Sequence, residues 1–336
     1  MKCEIIWNHL SLQDWQTRFA TIERSNILQS YEYAIAQAKT VQQKARWGLI
    51  MIDGREAGLV QILEASILWG AFHALILDRG PLWFQGFGGA AHIAAFFKEF
   101  NTQFPKRFGR KRRILPEVSD GATALAILKQ AGLNRVEEQS GYQSLWWDLR
   151  QSEDAALAAL RPNWLGSLKK AQKSDLHIEW DINGKFYPWL RERYVLDKAV
   201  RGYNGISPKL LDNLAALSPP SPLMIIGKAF KDGEDIAGIL ILLHRQSATY
   251  QIGWSSDAGR KYAAHHLLLW QARQQLVKYG INDFDLGGFN DEDAAAGIKN
   301  FKLGTGAAPY KLVGQSEYIF NSLISNMLNS ARSCGG

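Results

Sequence analysis

Residues 284–306 read FDLGGFNDEDAAAGIKNFKLGTG: an apolar strand, two glycines, a polar run, and then a phenylalanine–lysine pair among further glycines. Gly287 and Gly288 follow the strand directly, so the backbone there lacks the side chains that would keep a ligand at a distance. Lys302 lies where few other side chains compete with it, and a lysine ammonium can polarise a carbonyl group or neutralise a phosphate. The stretch predicts either a site built from bare backbone and one cation, or a surface charge beside a glycine turn.

The sequence on both sides of this stretch predicts a mixed α/β fold. Residues 223–256 have the pattern of three strands, and residues 260–280 that of one long amphipathic helix. Residues 310–320 predict the last strand, and the tail, residues 321–336, predicts a short helix with a frayed end. The second half of the chain therefore alternates strands with helices.

The first half of the chain follows the same plan. A helical pattern at residues 29–45 precedes two strand patterns at residues 46–66, which are joined by the hairpin turn DGRE. A glycine loop then opens into a helix at residues 86–104. The repeated plan predicts two copies of one mixed α/β unit, residues 1–150 and residues 151–320.

Four segments of the chain have the order and spacing of motifs in a known family. They read ILQSYEYAIAQAK (27–39), LDRGPLW (77–83), NWLGSLKKAQKSDLHIE (163–179) and a nearly continuous core at 250–314. Through these motifs, of which DLGG and FK-x-G-x-G are the most specific, the chain resembles the FemABX family. The resemblance implies two tandem acetyltransferase-like (GNAT) domains. It also implies transfer of an amino acid from aminoacyl-tRNA to the peptide of a cell-wall precursor.

Aminoacyl transfer is the attack of an amine on an ester carbonyl, so the protein must hold both reactants and stabilise the oxyanion that forms. Because the ester is already activated, no nucleophilic side chain, metal ion or redox cofactor is expected, and aminoacyl-tRNA is the co-substrate. Lys302 matches the lysine that the family associates with catalysis. Asp285 is the second catalytic candidate, although it would need a raised pKa to act as a base near neutral pH. Gly287, Gly288 and Phe301 are predicted to contact the substrate.

The acceptor side of the predicted site departs from the family pattern. The resemblance places Arg201 and Tyr250 among the groups that line the acceptor channel, and Arg201 would hold a pyrophosphate. The lysine that usually lies on the N-terminal helix is replaced by Gln37, with Lys39 nearby as the predicted substitute. An aspartate expected before a proline is replaced by Leu115. The acceptor therefore stays open between a cell-wall precursor and another peptide or amine-bearing molecule, whether nucleotide-linked, lipid-linked or neither.

The charge of the chain predicts an anionic partner. The net charge is +7 and the isoelectric point is about 9.3, which favours nucleic acid, nucleotide phosphates or a lipid surface in general. Residues 106–113, KRFGRKRR, place six cationic side chains in eight positions. This stretch predicts either a solvated loop or contacts with tRNA phosphates through Lys106, Arg107, Arg110, Lys111 and Arg112.

Composition excludes several other classes of protein. The only cysteines, Cys3 and Cys334, lie near the two ends and form neither a disulfide framework nor a zinc cluster, which favours a reducing compartment. The first residues lack the apolar core of a signal peptide, and apolar runs such as residues 239–243 are too short to span a bilayer. We therefore expect a cytoplasmic protein without stable membrane insertion.

Two other functions fit parts of the pattern. An acyl-CoA-dependent N-acyltransferase would keep the fold, but it needs glycines at the start of its long helix, where backbone N–H groups bind a pyrophosphate. The corresponding stretch reads GRKYAAHH and contains one glycine. A binder of nucleic acid or of cell-wall precursors that has lost catalysis would not need the FDLGG and NFKLGTG motifs, which this chain retains.

Overall fold

A computed structural model describes residues 1–136, 141–218, 223–289 and 296–318, and the structural statements below refer to these residues. The chain forms two β-sheets, each packed against helices. The helices are α1 Leu12–Phe19, α2 Tyr31–Val41, α3 Ala90–Gln103, α4 Ala122–Gln130, α5 Glu153–Ala159, α6 Pro162–Gln172, α7 Tyr187–Arg201, α8 Pro208–Ala215, α9 Asp257–Lys261, α10 Ala264–Lys278 and α11 Ala296–Leu303. The strands are β1 Cys3–Trp7, β2 Lys44–Ile52, β3 Arg55–Ile67, β4 Phe72–Gly80, β5 Leu82–Trp83, β6 Arg110–Pro116, β7 Leu133–Arg135, β8 Gln143–Asp148, β9 His177–Asp181, β10 Met224–Lys231, β11 Glu234–His244, β12 Ser247–Ser255, β13 Asp283–Asp285, β14 Ala308–Lys311 and β15 Ser316–Tyr318.

The N-terminal sheet has the strand order β1-β2-β3-β4-β6-β15-β7, and the short strand β5 pairs with β3. The predicted hairpin between β2 and β3 is confirmed: Asp53 and Gly54 turn the chain with φ values of 47° and 78°, a conformation that favours aspartate and glycine. Helix α3 packs on this sheet through Phe96, Phe97 and Phe100, none of which is exposed to solvent. Burial of each ring contributes roughly 1.5–3 kcal/mol, so α3 is held mainly by its aromatic face.

The C-terminal sheet has the strand order β14-β8-β13-β12-β11-β10-β9. The predicted three strands between residues 223 and 256 are β10, β11 and β12, paired as an antiparallel meander. Strand β13 then pairs in parallel with β12 and antiparallel with β8. Asp285, the last residue of β13, is therefore fixed between two neighbouring strands.

The two sheets exchange strands. Strand β8, which precedes residue 150, belongs to the C-terminal sheet, and β15 belongs to the N-terminal sheet. The prediction of one final strand at residues 310–320 is wrong, because β14 pairs with β8 whereas β15 pairs with β6 and β7. Gly314, with a φ of 82°, lies in the crossing between them. The predicted division at residue 150 thus does not follow sheet membership.

Two helix predictions also need correction. The pattern at residues 260–280 predicts one helix, but Ala263 has a φ of 53° and separates α9 from α10. Gly259, in the middle of α9, packs so closely that a side chain there would clash with the carbonyl oxygen of Ile236. Helix α2 begins at Tyr31, where the Ser30 hydroxyl accepts a hydrogen bond from a backbone N–H, rather than at residue 29. The predicted tail helix lies outside the described residues.

None of the helices within the described part of the chain is both long enough and apolar enough to cross a membrane.

Candidate active site

Lys302 lies in the last turn of α11, and its side chain points into the protein. The residue is only 5% exposed, and its Nζ donates hydrogen bonds to the carbonyl oxygens of Gly287 (2.8 Å) and Gly288 (3.0 Å). The alternative of a surface charge beside a glycine turn is therefore wrong for Lys302. The sequence suggested a turn because of the flanking glycines, but residues 296–303 are helical.

The absence of side chains at Gly287 and Gly288 makes space for other groups of the protein itself. Gly287 has a φ of 75°, and a side chain there would clash with the carbonyl oxygen of Tyr250 and approach Lys302 Nζ at 3.4 Å. A side chain at Gly288 would come within 2.8 Å of the Tyr142 ring. The bare backbone predicted from the sequence therefore binds the lysine. Contact of these glycines with a substrate stays a prediction.

Substitution of Gly287 separates two reasons for a glycine at this position, namely its left-handed backbone conformation and the lack of space for a side chain. Gly54 has nearly the same φ, 78°, but a side chain there would have no atom within 4 Å. Gly54→Ala should therefore lose only about 1 kcal/mol of unfolding free energy, the cost of the left-handed backbone. Gly287→Ala should lose at least about 2 kcal/mol more, because it also meets Tyr250. Urea unfolding of both variants measures this difference; equal losses would show that the space at Gly287 is unimportant.

Asp285 lies at the centre of the buried polar groups next to Lys302. Its side chain has no solvent exposure. The carboxylate accepts hydrogen bonds from Ser144 Oγ, the Gly287 N–H (2.9 Å), Tyr310 (2.8 Å), Tyr142 (3.4 Å) and Arg79 Nη1 (3.4 Å). Because these donors occupy the carboxylate oxygens, the geometry favours a fixed negative charge over proton transfer to or from a substrate. A catalytic role for Asp285 stays a prediction.

Arg79 connects this network to the N-terminal sheet. Its guanidinium forms two hydrogen bonds to Glu117, at 2.7 and 3.0 Å, and one to the Tyr310 hydroxyl at 3.0 Å. It also lies 4.5 Å from the centre of the Tyr142 ring. Burial disfavours the charge of Arg79, but Glu117 and Tyr310 outweigh this effect and raise its pKa. Arg79 therefore stays cationic between two carboxylates.

The sequence pointed to Arg79 only as part of the LDRGPLW motif, and among its partners it gave a role to Asp285 alone. The residues of this network that sequence reasoning missed are Ser144, Tyr142, Tyr310 and Glu117.

Burial lowers the pKa of Lys302 from 10.5 to about 8, although the nearby Asp285 carboxylate opposes the shift. The amine is therefore mostly protonated at neutral pH and loses its proton at a lower pH than the ordinary lysine value of 10.5 would give. Its Nζ lies 5.4 Å from the centre of the Tyr250 ring, which forms part of the wall around it.

This shift predicts a pH-dependent stability. Between pH 8 and pH 10.5 the folded protein has released the Lys302 proton, whereas the unfolded chain still binds it. The unfolding free energy should therefore rise with pH across that window, by up to about 3 kcal/mol from Lys302. The measurement is the difference in unfolding free energy between wild type and Lys302→Met from pH 7 to pH 11. A difference in unfolding free energy that stays constant over this pH range would contradict the lowered pKa of Lys302.

Aromatic side chains and histidines form the other wall beside Lys302. The Tyr250 hydroxyl and His265 Nε2 are 2.7 Å apart and share a hydrogen bond. Burial lowers the pKa of His265 to about 3, with further lowering from His266 and Lys302, so the ring is neutral at physiological pH. Phe301 packs against both histidines, at ring separations of 5.6 and 4.9 Å. The structure thus places Phe301 and Tyr250 beside Lys302, and their predicted contacts with substrate stay predictions.

The remaining predicted substrate residues lie apart from this cluster. Arg201 ends α7, is 55% exposed in its side chain and pairs with Asp197 at 2.8 Å. Lys39 is exposed near the end of α2. Within the described ranges, no hydrogen bond or ion pair joins either residue to Lys302.

The basic stretch at residues 106–113 is partly structural. Arg107 donates to the Ala71 and Phe108 carbonyls, Arg110 to the Pro105 carbonyl, and Arg112 to the Phe104 carbonyl. These bonds fix the loop before β6. They also occupy guanidinium N–H donors that the predicted contacts with tRNA phosphates require. Lys111 alternates with them along the strand and is exposed.

Comparisons with known proteins agree with this architecture. Residues 185–312 match the model of the acetyltransferase (GNAT) domain. No curated protein sequence matches the chain. Among solved structures, FemX is similar with a TM-score of 0.77 and 15% identity over 96% of this chain and 99% of the FemX chain.

Two further structures share the fold. A conserved protein of unknown function from Bacteroides thetaiotaomicron has a TM-score of 0.58 and 11% identity over 94% of this chain and all of its own. A tandem GNAT protein from the clavulanic acid biosynthesis pathway has a TM-score of 0.50 and 12% identity over 95% of this chain and all of its own. The predicted FemX-like structure and tandem GNAT-like fold are confirmed.

Proposed function

We propose that this chain, which has a FemX-like GNAT acyltransferase fold, transfers an aminoacyl group from tRNA to an amine and forms an amide. The observation that carries the proposal is the buried ammonium of Lys302, fixed by two glycine carbonyls in a FemX-like fold. The FemABX resemblance supports tRNA as the donor, because the DLGG and FK-x-G-x-G motifs supply the residues that build this site.

The reaction assigns a definite task to Lys302. The acceptor nitrogen forms a bond to the ester carbon, the bond from that carbon to the ribose oxygen breaks, and a proton moves from nitrogen to the leaving oxygen. An ammonium has three donors, and Lys302 uses two of them on Gly287 and Gly288. The third is available to the oxyanion or to the leaving ribose oxygen. A pKa of about 8 makes loss of this proton easier than for an exposed lysine.

The donor tRNA is expected to lie along α6. Lys169, Lys170 and Lys173 are exposed on this helix or at its end. Trp164 of the same helix packs against Phe301, the neighbour of Lys302, with 6.0 Å between ring centres. Phosphates bound by these lysines would therefore approach the reactive amine from α6. Such contacts release counterions, so tRNA affinity should fall steeply with salt.

An acyl-CoA-dependent N-acyltransferase is the second candidate, favoured by the match of residues 185–312 to the acetyltransferase domain. The start of the long helix argues against it. Gly259 packs against the Ile236 carbonyl, and α9 fills the turn before α10. This geometry differs from a glycine-rich turn whose N–H groups face a pyrophosphate.

A donor screen tests the proposal. Purified protein would be incubated with a pool of radiolabelled aminoacyl-tRNAs and a panel of amines, including a UDP-linked muramyl pentapeptide. We expect label in an RNase-resistant product, which also identifies the amino acid and the acceptor. Label that stays in RNA, or appears only as free amino acid, with every acceptor would contradict the proposal.

A further inference from the structure

A small cavity lies between α2 and the N-terminal sheet, separate from the Lys302 network. Its volume is about 160 Å³, enough for a molecular fragment of several heavy atoms but too small for a nucleotide. Apolar side chains form part of its wall. The polar side chains that line it are Gln29, Gln61, Tyr33, Gln37, Asp78 and Arg113.

Two of these polar groups already have partners within the protein. The Gln29 amide donates to the carbonyls of Gln61 and Asp78, at 3.0 and 2.7 Å. The Gln61 side chain donates to the Leu28 carbonyl and accepts from Trp47. Both amides therefore act as fixed walls of the cavity and leave recognition to other groups.

Three acceptors in the cavity have no such partner. Among the described residues, no side-chain hydrogen bond or ion pair engages the Asp78 carboxylate or the Tyr33 hydroxyl, and the buried Oε1 of Gln37 has no partner either. Of the three, the Gln37 oxygen is the one that is buried from solvent without a partner, which is rare in folded proteins and calls for an explanation. The cavity thus offers a carboxylate, a hydroxyl and an amide oxygen that take part in no side-chain hydrogen bond among the described residues, and Arg113 is the one cation in its lining.

We propose that this cavity binds the ammonium group of a small, phosphate-free amine, and that Asp78 is its anionic partner. An ammonium has three donors and one positive charge, which matches the three free acceptors and the single carboxylate beside them. The inference rests on the proposed function in one respect only: it identifies the molecule that carries this ammonium as the acceptor, and a second amino group outside the cavity is the one that is acylated.

The position of the cavity fits an acceptor subsite. Asp78 directly precedes Arg79, whose guanidinium reaches Asp285 at 3.4 Å. The Tyr33 side chain packs against the cluster that contains Ile252, two residues from Tyr250 in the same strand. The cavity therefore lies on the side of the N-terminal sheet that faces the C-terminal unit.

The chemistry of the cavity also selects against phosphate. A pyrophosphate placed beside Asp78 would meet a carboxylate and the amide oxygen of Gln37, both of which repel it. Arg113, which also lines the cavity, is exposed and offsets part of this charge, so it suits a carboxylate on the same small molecule. Amino acids and short peptides combine these two groups.

Ligand-observed NMR with pentylamine, its uncharged analogue pentanol, L-lysine and inorganic pyrophosphate tests the proposal on the full chain. We expect the two amines to bind and pentanol and pyrophosphate not to bind. Asp78→Asn should weaken amine binding at least about tenfold, because it removes the charge and keeps the shape. Asp232→Asn, at an exposed turn, is the matched control and should leave amine binding unchanged.

A second variant covers the case in which Asp78→Asn does not fold. Gln37→Lys places an ammonium inside the cavity, so it should abolish amine binding and raise the melting temperature. Pyrophosphate binding by the wild type, or amine binding that survives in Gln37→Lys or in folded Asp78→Asn, would overturn the inference. If amines bind through Asp78 but no donor is ever consumed, the cavity assignment stands and only the proposed function fails.

Discussion

Lys302→Ala is expected to yield a folded protein whose turnover is lower by at least about tenfold. Lys302 is 5% exposed, and its amine lies between the Gly287 and Gly288 carbonyls. Among the described residues, no other lysine occupies such a position. The substitution takes away the ammonium that is proposed to stabilise the oxyanion or to protonate the leaving oxygen. The measurement is the initial rate of amide formation with the donor and acceptor found in the screen, alongside the circular dichroism of both proteins.

Lys299→Ala is the matched control, since it removes a lysine from the same helix without touching the two glycine carbonyls. We expect its turnover to stay within about twofold of wild type, as for substitutions outside the reacting geometry. Lys302→Met separates charge from packing, because it keeps most of the side-chain volume. Normal turnover in folded Lys302→Ala or Lys302→Met would remove Lys302 from the mechanism.

Arg79→Leu is expected to cost about 3–5 kcal/mol of unfolding free energy, the largest stability loss that we predict. Arg79 is 6% exposed and stands between Glu117 and the fully buried Asp285. Without the guanidinium, Asp285 keeps its hydroxyl donors, but both carboxylates lose their cation. The fully buried Asp285 and the partly exposed Glu117 would then face each other across the space that leucine occupies.

The comparison for this prediction is Arg18→Leu. Arg18 pairs with Glu56 at 2.8 Å, but both side chains are partly exposed, and such pairs contribute at most about 1 kcal/mol. Urea denaturation of both variants gives the two losses under the same conditions. A loss below about 1 kcal/mol for Arg79→Leu would mean that the network is not held by its central cation.

The sequence was sufficient for the fold and for the position of Lys302. Alternating strand and helix patterns predicted the meander β10–β12, and the FK-x-G-x-G motif selected one lysine of many. Hydrophobic periodicity succeeds for the meander because its strands follow one another along the chain, whereas the choice of Lys302 depended on the family resemblance. The local character of periodicity explains the error at residues 310–320, where pairing with distant segments divides the predicted strand between two sheets. The left-handed Ala263, which separates α9 from α10, is not signalled by the helical pattern.

The Arg79 network could not be predicted for a related reason. Arg79 and Asp285 are 206 residues apart, and Tyr310 lies 231 residues from Arg79. No spacing rule relates such positions, so only the folded chain brings them together. The basic stretch at 106–113 shows the reverse case, since its charge density predicted phosphate contacts, whereas several of its arginines donate hydrogen bonds to backbone carbonyls of the protein.

The measurement that tests the central claim most directly is a double-label competition. One reaction would contain the protein, an acceptor, tRNA charged with a ¹⁴C-amino acid and ³H-acetyl-CoA. The isotope in the amide product then reports which donor this site uses. The account predicts ¹⁴C in the product, little ³H, and loss of the ¹⁴C signal in Lys302→Ala. Product labelled with ³H alone would contradict it and would make the protein an acyl-CoA-dependent enzyme.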